Sequence, residues 1–356
     1  MIGPIVHILG ARPNIPKFVP IYNEFTKARI TQSVIHTGQH YSDALTKNIF
    51  EDLDFAMGEV QKNLEVGSGS HAFQVSQIIK RLEIELINLK PKVVFVYGDV
   101  NSSLAAAIVT KQLGIKLVHV ESGLRSFDNK MIEEFNRILI DHSADYLFCT
   151  LESSVINLEK EGILGDRVKL VGNTMIDSLF YIEHKYDIEE LLTNLIGNLR
   201  NYVFLTLHRP SNVDNKERWG RISKSLKLLS AEFPIIASSH PRSNHLFEEI
   251  KFIKLLKGLG YKDSIALQSF ATFVITDSGG LQEETTYLNV PCLTLRNSTE
   301  RPETINFGTN TLVSPEDLMN YQAIIEPIIN GNKNKKIPLW DGYASQRIVN
   351  SFINFD

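Results

Sequence analysis

Short runs rich in β-branched and other apolar residues recur along this chain, and each is followed by a longer segment with helical apolar spacing. In the first half the runs are 6–9, 33–36, 93–97, 116–120, 146–149 and 168–171. The second half repeats the rhythm at 203–207, 234–237, 273–276, 292–295 and 311–313. Strands that are apolar on both faces and alternate with helices predict parallel sheets covered on both sides. Residues 251–270 predict a short strand and then a helix.

The chain therefore reads as α/β, with two doubly wound Rossmann-like domains facing a cleft. With 356 residues it has length for two or three domains. No Pro-rich or Gly/Ser-rich linker marks the seam, which falls near Gly172-Asn173 and gives domains of 1–171 and 172–342. The tail has helical apolar spacing over 344–353, so a helix within 343–356 is expected to cross back and pack on the first domain.

Composition narrows the function. The net charge of −4 carries no nucleic-acid footprint. Cys149 and Cys292 both sit in apolar runs, which suits buried thiols in a reducing compartment better than a disulfide framework. The start of the chain shows no basic segment followed by a long apolar core, and no apolar run reaches the roughly 20 residues that cross a bilayer. A cytoplasmic protein without membrane partners is expected.

Ligands of open α/β sheets bind beyond the carboxyl ends of the strands, and polar residues gather at those ends here. In the second half, 273–276 leads into Asp277-Ser278-Gly279-Gly280 and then a probable helix. That order offers free N–H groups at a helix N-terminus, suited to a phosphate, with glycines that allow close approach. Glu284 is expected on the first turn, placed to accept hydrogen bonds from sugar hydroxyls. His208 and Arg209 end another strand, His240-Pro241-Arg242 repeats that pattern one strand later, and Arg301 belongs to a charged segment after 292–295.

In the first half, Arg12 and Lys17 flank a turn into a helix and read as a clamp for a diphosphate. Asp99 follows 93–97 and is either a site carboxylate or an N-cap. Glu121 ends an apolar strand, where a carboxylate is costly without a partner. Glu133 and Arg137 stand four apart on one helix face, as site residues or as a surface ion pair.

Other chemistries lack their residues. No His-Glu-x-x-His, Cys-x-x-Cys, Gly-x-Ser-x-Gly or Walker loop occurs, and Gly67-Ser68-Gly69-Ser70 is an incomplete dinucleotide fingerprint. No metal and no cofactor are expected.

Taken in order, these segments resemble the UDP-N-acetylglucosamine 2-epimerases, especially the non-hydrolysing branch, over nearly the whole chain. The resemblance rests on Gly10-Ala11-Arg12-Pro13, His36-Thr37-Gly38-Gln39-His40-Tyr41, Gly98-Asp99 and His119-Val120-Glu121-Ser122-Gly123-Leu124-Arg125. It continues through Glu133-Glu134-Phe135-Asn136-Arg137, Val171-Gly172-Asn173-Thr174, Leu207-His208-Arg209, Asp277-Ser278-Gly279-Gly280-Leu281-Gln282-Glu283-Glu284 and Thr299-Glu300-Arg301-Pro302.

The resemblance implies a GT-B-like fold with a UDP-sugar in the cleft, and an isomerase that inverts C2 to interconvert UDP-N-acetylglucosamine and UDP-N-acetylmannosamine. UDP leaves first, a 2-acetamidoglucal forms, and UDP adds back. The resemblance makes Asp99, Glu121, Glu133 and His208 catalytic, without saying which carboxylate serves which face. It makes Arg12, Lys17, Arg137, Arg209, His240, Ser278, Gly279, Gly280, Glu284 and Arg301 substrate-binding, with Glu284 on the ribose. A homodimer is the expected assembly.

Departures from the pattern are Ile132 for a usual Pro, Val100 for a Thr and Ser122 for an Ala. Gln39 fits the second UDP-sugar site of many bacterial members, whereas Ser42 replaces a further Gln there. Rival readings are a hydrolysing relative that releases N-acetylmannosamine and UDP, and a 2-epimerase of a modified UDP-sugar. Further away stand a GT-B glycosyltransferase and a non-catalytic nucleotide-sugar sensor.

Overall fold

The computed structural model describes residues 4–38, 44–238, 240–330 and 336–353. Gln39 and Ser42 lie outside the described residues. The chain divides into two units, Met1–Tyr181 with Pro338–Asp356, and Ile182–Ile337.

Among the described residues the first unit holds seven strands: β1 Ile5–Leu9, β2 Gln32–His36, β3 Val60–Asn63, β4 Val93–Tyr97, β5 Lys116–Ser122, β6 Tyr146–Cys149 and β7 Val168–Leu170. They pair in parallel in the order β3-β2-β1-β4-β5-β6-β7. The second unit holds β8 Val203–Thr206, β9 Ile235–Ser238, β10 Ile253–Leu256, β11 Phe273–Thr276, β12 Cys292–Thr294 and β13 Asn310–Leu312. Their order, β10-β9-β8-β11-β12-β13, repeats the same doubly wound plan, also in parallel. In each sheet the order reverses beside the first strand, between β1 and β4 and between β8 and β11. Strand order reversal parts the connecting helices and leaves a crevice at the carboxyl ends of those strands.

Side-chain alternation explains how both faces of each sheet are covered. Val6, Ile8, Val94 and Val96 enter one core with Ile78, Leu82 and Leu86 of the helix His71–Leu89. The intervening His7, Phe95 and Tyr97 face an aromatic layer with Phe18 and Phe25 of the helix Ile15–Lys27. His7 is fully buried, and burial pushes its pKa down to about 3. In the second unit Val203, Leu205 and Ile275 enter one core, while Phe204, Ile236 and Val274 enter another.

The helix Ala344–Ile353 belongs to the first unit, as the tail's apolar spacing predicts. Phe352 sets its ring against Phe25 at 5.7 Å and Phe95 at 5.4 Å. Asp177 accepts the N–H groups of Ala344 and Ser345 at 3.0 and 2.6 Å, which ties down the start of that helix. Among the described residues no helix is long and apolar enough to cross a membrane.

Candidate active site

In the first unit the expected residues gather at the carboxyl ends of β1, β4 and β5. Asn14 organises the turn after β1: its carbonyl oxygen accepts the N–H groups of Gly10 and Ala11 at 3.0 Å each, and its amide donates to the Tyr97 carbonyl at 2.8 Å. Arg12 opens a short 3-10 turn, Arg12–Asn14, and is half-buried. Lys17 is buried near the start of the helix Ile15–Lys27 and forms an ion pair with Glu121.

Glu121 sits in a break of register between β5 and β6, with φ of 70°. That left-handed conformation is uncommon for a residue with a Cβ, and such strain persists only where the surroundings over-determine it. The surroundings here are specific. Asp141, fully buried, pairs with the His119 ring at 2.6 Å on one side of the bulge and accepts the Gly123 N–H at 3.1 Å on the other. Arg125 donates to Asp141 at 2.7 Å and reaches Glu161 through two contacts of 2.7 Å. Burial works to raise the Asp141 pKa, but His119 and Arg125 outweigh it and hold the group below its ordinary value. The far nitrogen of His119 meets the Gly98 carbonyl at 3.1 Å. Gly98 itself has φ of 59°, and a Cβ there would fall 2.9 Å from the Glu121 carboxylate and 3.1 Å from Lys17 Nζ.

Asp99 is half-buried and receives Arg137 through Nη2 at 2.5 Å and Nε at 3.1 Å. The N-cap of the helix Asn101–Gln112 is Val100, so the capping alternative for Asp99 does not hold. The Glu133–Arg137 surface pair does not form either. Arg137 is buried and turns inward to Asp99 and Glu134, while Glu133, half-buried on the first turn of the helix Ile132–Ser143, makes no hydrogen bond or ion pair among the described residues.

In the second unit the candidate residues collect at the reversal between β8 and β11. Asp277 directly follows β11, is fully buried, and accepts the backbone N–H groups of His208 and Arg209 at 3.1 and 2.9 Å and the Asn212 amide at 2.9 Å. Its carboxylate also stands 3.3 Å from Nδ1 of His208. The His208 ring stacks on His240 with centroids 4.9 Å apart. Arg209 Nε donates to the Asp277 carbonyl at 2.8 Å.

Ser278 is the N-cap of the helix Gly279–Leu288 and makes no side-chain cap bond, which leaves the first-turn N–H groups of that helix without that acceptor. Such a turn is a ready site for an anion. A Cβ on Gly279 would fall 2.6 Å from Arg301 Nη1 and 2.9 Å from a Glu300 carboxylate oxygen, so a larger residue there would have to displace those side chains. Gly280 is half-buried and is the second residue of this helix. Arg301 is buried, pairs with Glu283 at 2.9 Å and also contacts Glu300.

Glu284 departs from the sequence expectation. The helix begins at Gly279, so Glu284 is its sixth residue and falls in the second turn, since a turn takes about 3.6 residues. It is buried, accepts the Gln268 amide at 2.8 Å, and burial raises its pKa despite that bond. Reading residues singly misses Asp141 and Asp277 as hubs. The available signal was polarity out of place: His119 interrupts an apolar strand and Asp277 directly follows one, and buried polar groups require partners.

A family model described as UDP-N-acetylglucosamine 2-epimerase matches residues 23–353. The chain belongs to that family. The UDP-N-acetylglucosamine 2-epimerase of Methanocaldococcus jannaschii is 40% identical over 356 residues, covering 96% of each protein. A crystal structure of the M. jannaschii UDP-GlcNAc 2-epimerase in complex with UDP-GlcNAc and UDP has a TM-score of 0.90 at 38% identity, covering 99% of this chain and 100% of that one. That of the Neisseria meningitidis UDP-GlcNAc 2-epimerase bound to UDP-GlcNAc also has a TM-score of 0.90, at 27% identity, with coverage of 99% and 100%. The fold of this chain is therefore that of GT-B-like epimerases, and the family is one of isomerases.

Proposed function

We propose that this chain interconverts UDP-N-acetylglucosamine and UDP-N-acetylmannosamine without hydrolysis. The observation that carries the reading is the match, over 99% of the chain, to an epimerase crystallised with UDP-GlcNAc and UDP.

The chemistry explains the residues. The C2 proton of the sugar has no neighbouring carbonyl, so its direct removal is too costly. Departure of UDP first leaves a positive C1 that acidifies C2–H, and proton loss gives a 2-acetamidoglucal. UDP then returns to C1 while a proton enters C2 from the opposite face. The departing diphosphate gains charge and calls for fixed donors, a role we give to the Ser278-Gly279-Gly280 turn with His208 and Arg209. His240, stacked on His208, and the buried Arg301 support that side, Arg12 adds a further cation, and Glu284 takes the ribose. Asp99, Glu121 and Glu133 supply acid and base, each such group being worth about 10²–10⁴ in rate.

An NMR time course with UDP-N-acetylglucosamine in D₂O tests the reading. UDP-N-acetylmannosamine should appear with solvent deuterium at C2 and without free sugar. Accumulating N-acetylmannosamine would make the enzyme a hydrolysing one. Product without deuterium would replace the elimination route with transient oxidation.

We also propose a homodimer. It is supported by exposed apolar residues on helices of the first unit, among them Phe73, Ile84 and Ile87 on His71–Leu89, and light scattering in solution tests it. A cytoplasmic location is proposed with it, in keeping with two buried free thiols.

A further inference from the structure

Two cations of the first unit stand against three of its acidic residues, Lys17 against Glu121 and Arg137 against Asp99 and Glu134. Lys17 forms an ion pair with Glu121, and its side chain is only 9% exposed against 6% for its partner. Arg137, 3% exposed, grips Asp99 through Nη2 at 2.5 Å and Nε at 3.1 Å. A buried charge is costly without a partner, and breaking a buried pair costs more than the pair itself contributes. An anionic ligand that drew Lys17 away would take from the buried Glu121 the cation it is paired with.

The backbone holds the first pair in place from both sides. The helix that carries Lys17 is anchored where Ser178 donates to the Pro16 carbonyl at 2.6 Å, and Asn14 ties its approach to the end of β4. Glu121 is held by its left-handed bulge. Gly98 lies beside the pair with no side chain, and a Cβ there would crowd both charged ends.

We propose that Lys17 and Arg137 are positioning residues for Glu121 and Asp99, and not ligands of the substrate's diphosphate. The proposal rests on the epimerase reading above and changes what these two residues do within it. Glu121 and Asp99 each stand against one of these cations, which fixes the direction of each carboxylate, whereas Glu133 has no such pair among the described residues. The diphosphate is left to the helix N-terminus at Ser278-Gly279-Gly280 and to the donors beside it.

The test separates the two roles with UDP itself as the probe. Calorimetry measures UDP affinity, and steady-state kinetics measures turnover, for wild type, Lys17→Met, Arg137→Leu, Glu121→Gln and the double variant Lys17→Met/Glu121→Gln. UDP affinity should stay within about threefold in both cation variants while kcat falls at least about 10²-fold. The double variant should turn over no more than about threefold slower than Glu121→Gln, because Lys17 acts through a carboxylate already removed. If Lys17→Met does not fold with Glu121 left unpaired, the double variant, neutral at both positions, still reports UDP affinity and turnover. A loss of UDP affinity of about tenfold or more, or a further loss of turnover in the double variant as large as in the single one, overturns the proposal. Absence of turnover in the wild type would instead overturn the epimerase reading, and this assignment with it.

Discussion

The Asp277 carboxylate accepts the backbone N–H of Arg209 at 2.9 Å, so the end of β11 dictates the course of the loop leaving β8. The same carboxylate takes His208 N–H and the Asn212 amide. Asp277→Ala would strand three buried or half-buried donors, and a loss of at least about 3 kcal/mol in urea unfolding is expected. A loss below about 1 kcal/mol would show that these donors find other acceptors.

Gly98→Ala should separate stability from activity. The left-handed backbone at φ of 59° costs a residue with a Cβ about 1–2 kcal/mol. The added methyl group also pushes between Glu121 and Lys17. Turnover should fall by about tenfold or more in protein that is still folded at assay temperature. A variant that loses stability but keeps its rate would show that the Glu121–Lys17 geometry has slack.

Glu121→Gln and His208→Ala should each cut turnover at least about 10²-fold while circular dichroism stays unchanged. Near-normal rates in both would remove these residues from the chemistry.

Asp177 gives a pH signature opposite to ordinary acid unfolding. Burial raises its pKa from 3.8 to about 6, against the opposing pull of the Ser345 and Ala344 donors. The folded value lies above the unfolded one, so folding takes up a proton in that window. The stabilisation is fully present below 3.8 and is lost as pH climbs through 6. Relative to Asp177→Asn, the wild type should gain about 1 kcal/mol in unfolding free energy between about pH 7 and about pH 5. Parallel pH profiles for the two proteins would rule this out.

Most strands were legible because burial on both faces demands an unbroken apolar run, as in Val93–Tyr97. β3 was not, because Val60–Asn63 is a partly exposed edge strand in which only Val60 is apolar. The short strand and helix expected in 251–270 are Ile253–Leu256 and Tyr261–Ser269. At the site, charged residues at strand ends could be named from sequence, but their partners could not. Spacing suggests Glu133 for Arg137, yet the fold brings Asp99 to it across 38 positions of sequence. The left-handed Glu121 was also hidden, since nothing in the residue type signals a bulge that distant contacts enforce.

The return of the C-terminal helix to the first unit has a consequence for biosynthesis. Phe25 and Phe95 await the ring of Phe352, and Asp177 awaits the amides of residues 344 and 345. On a translating ribosome the unit whose synthesis starts first is therefore the one that finishes later. Until residues 338–353 emerge, a nascent chain exposes the aromatic seat meant for them, while everything between 182 and 337 is already free to fold.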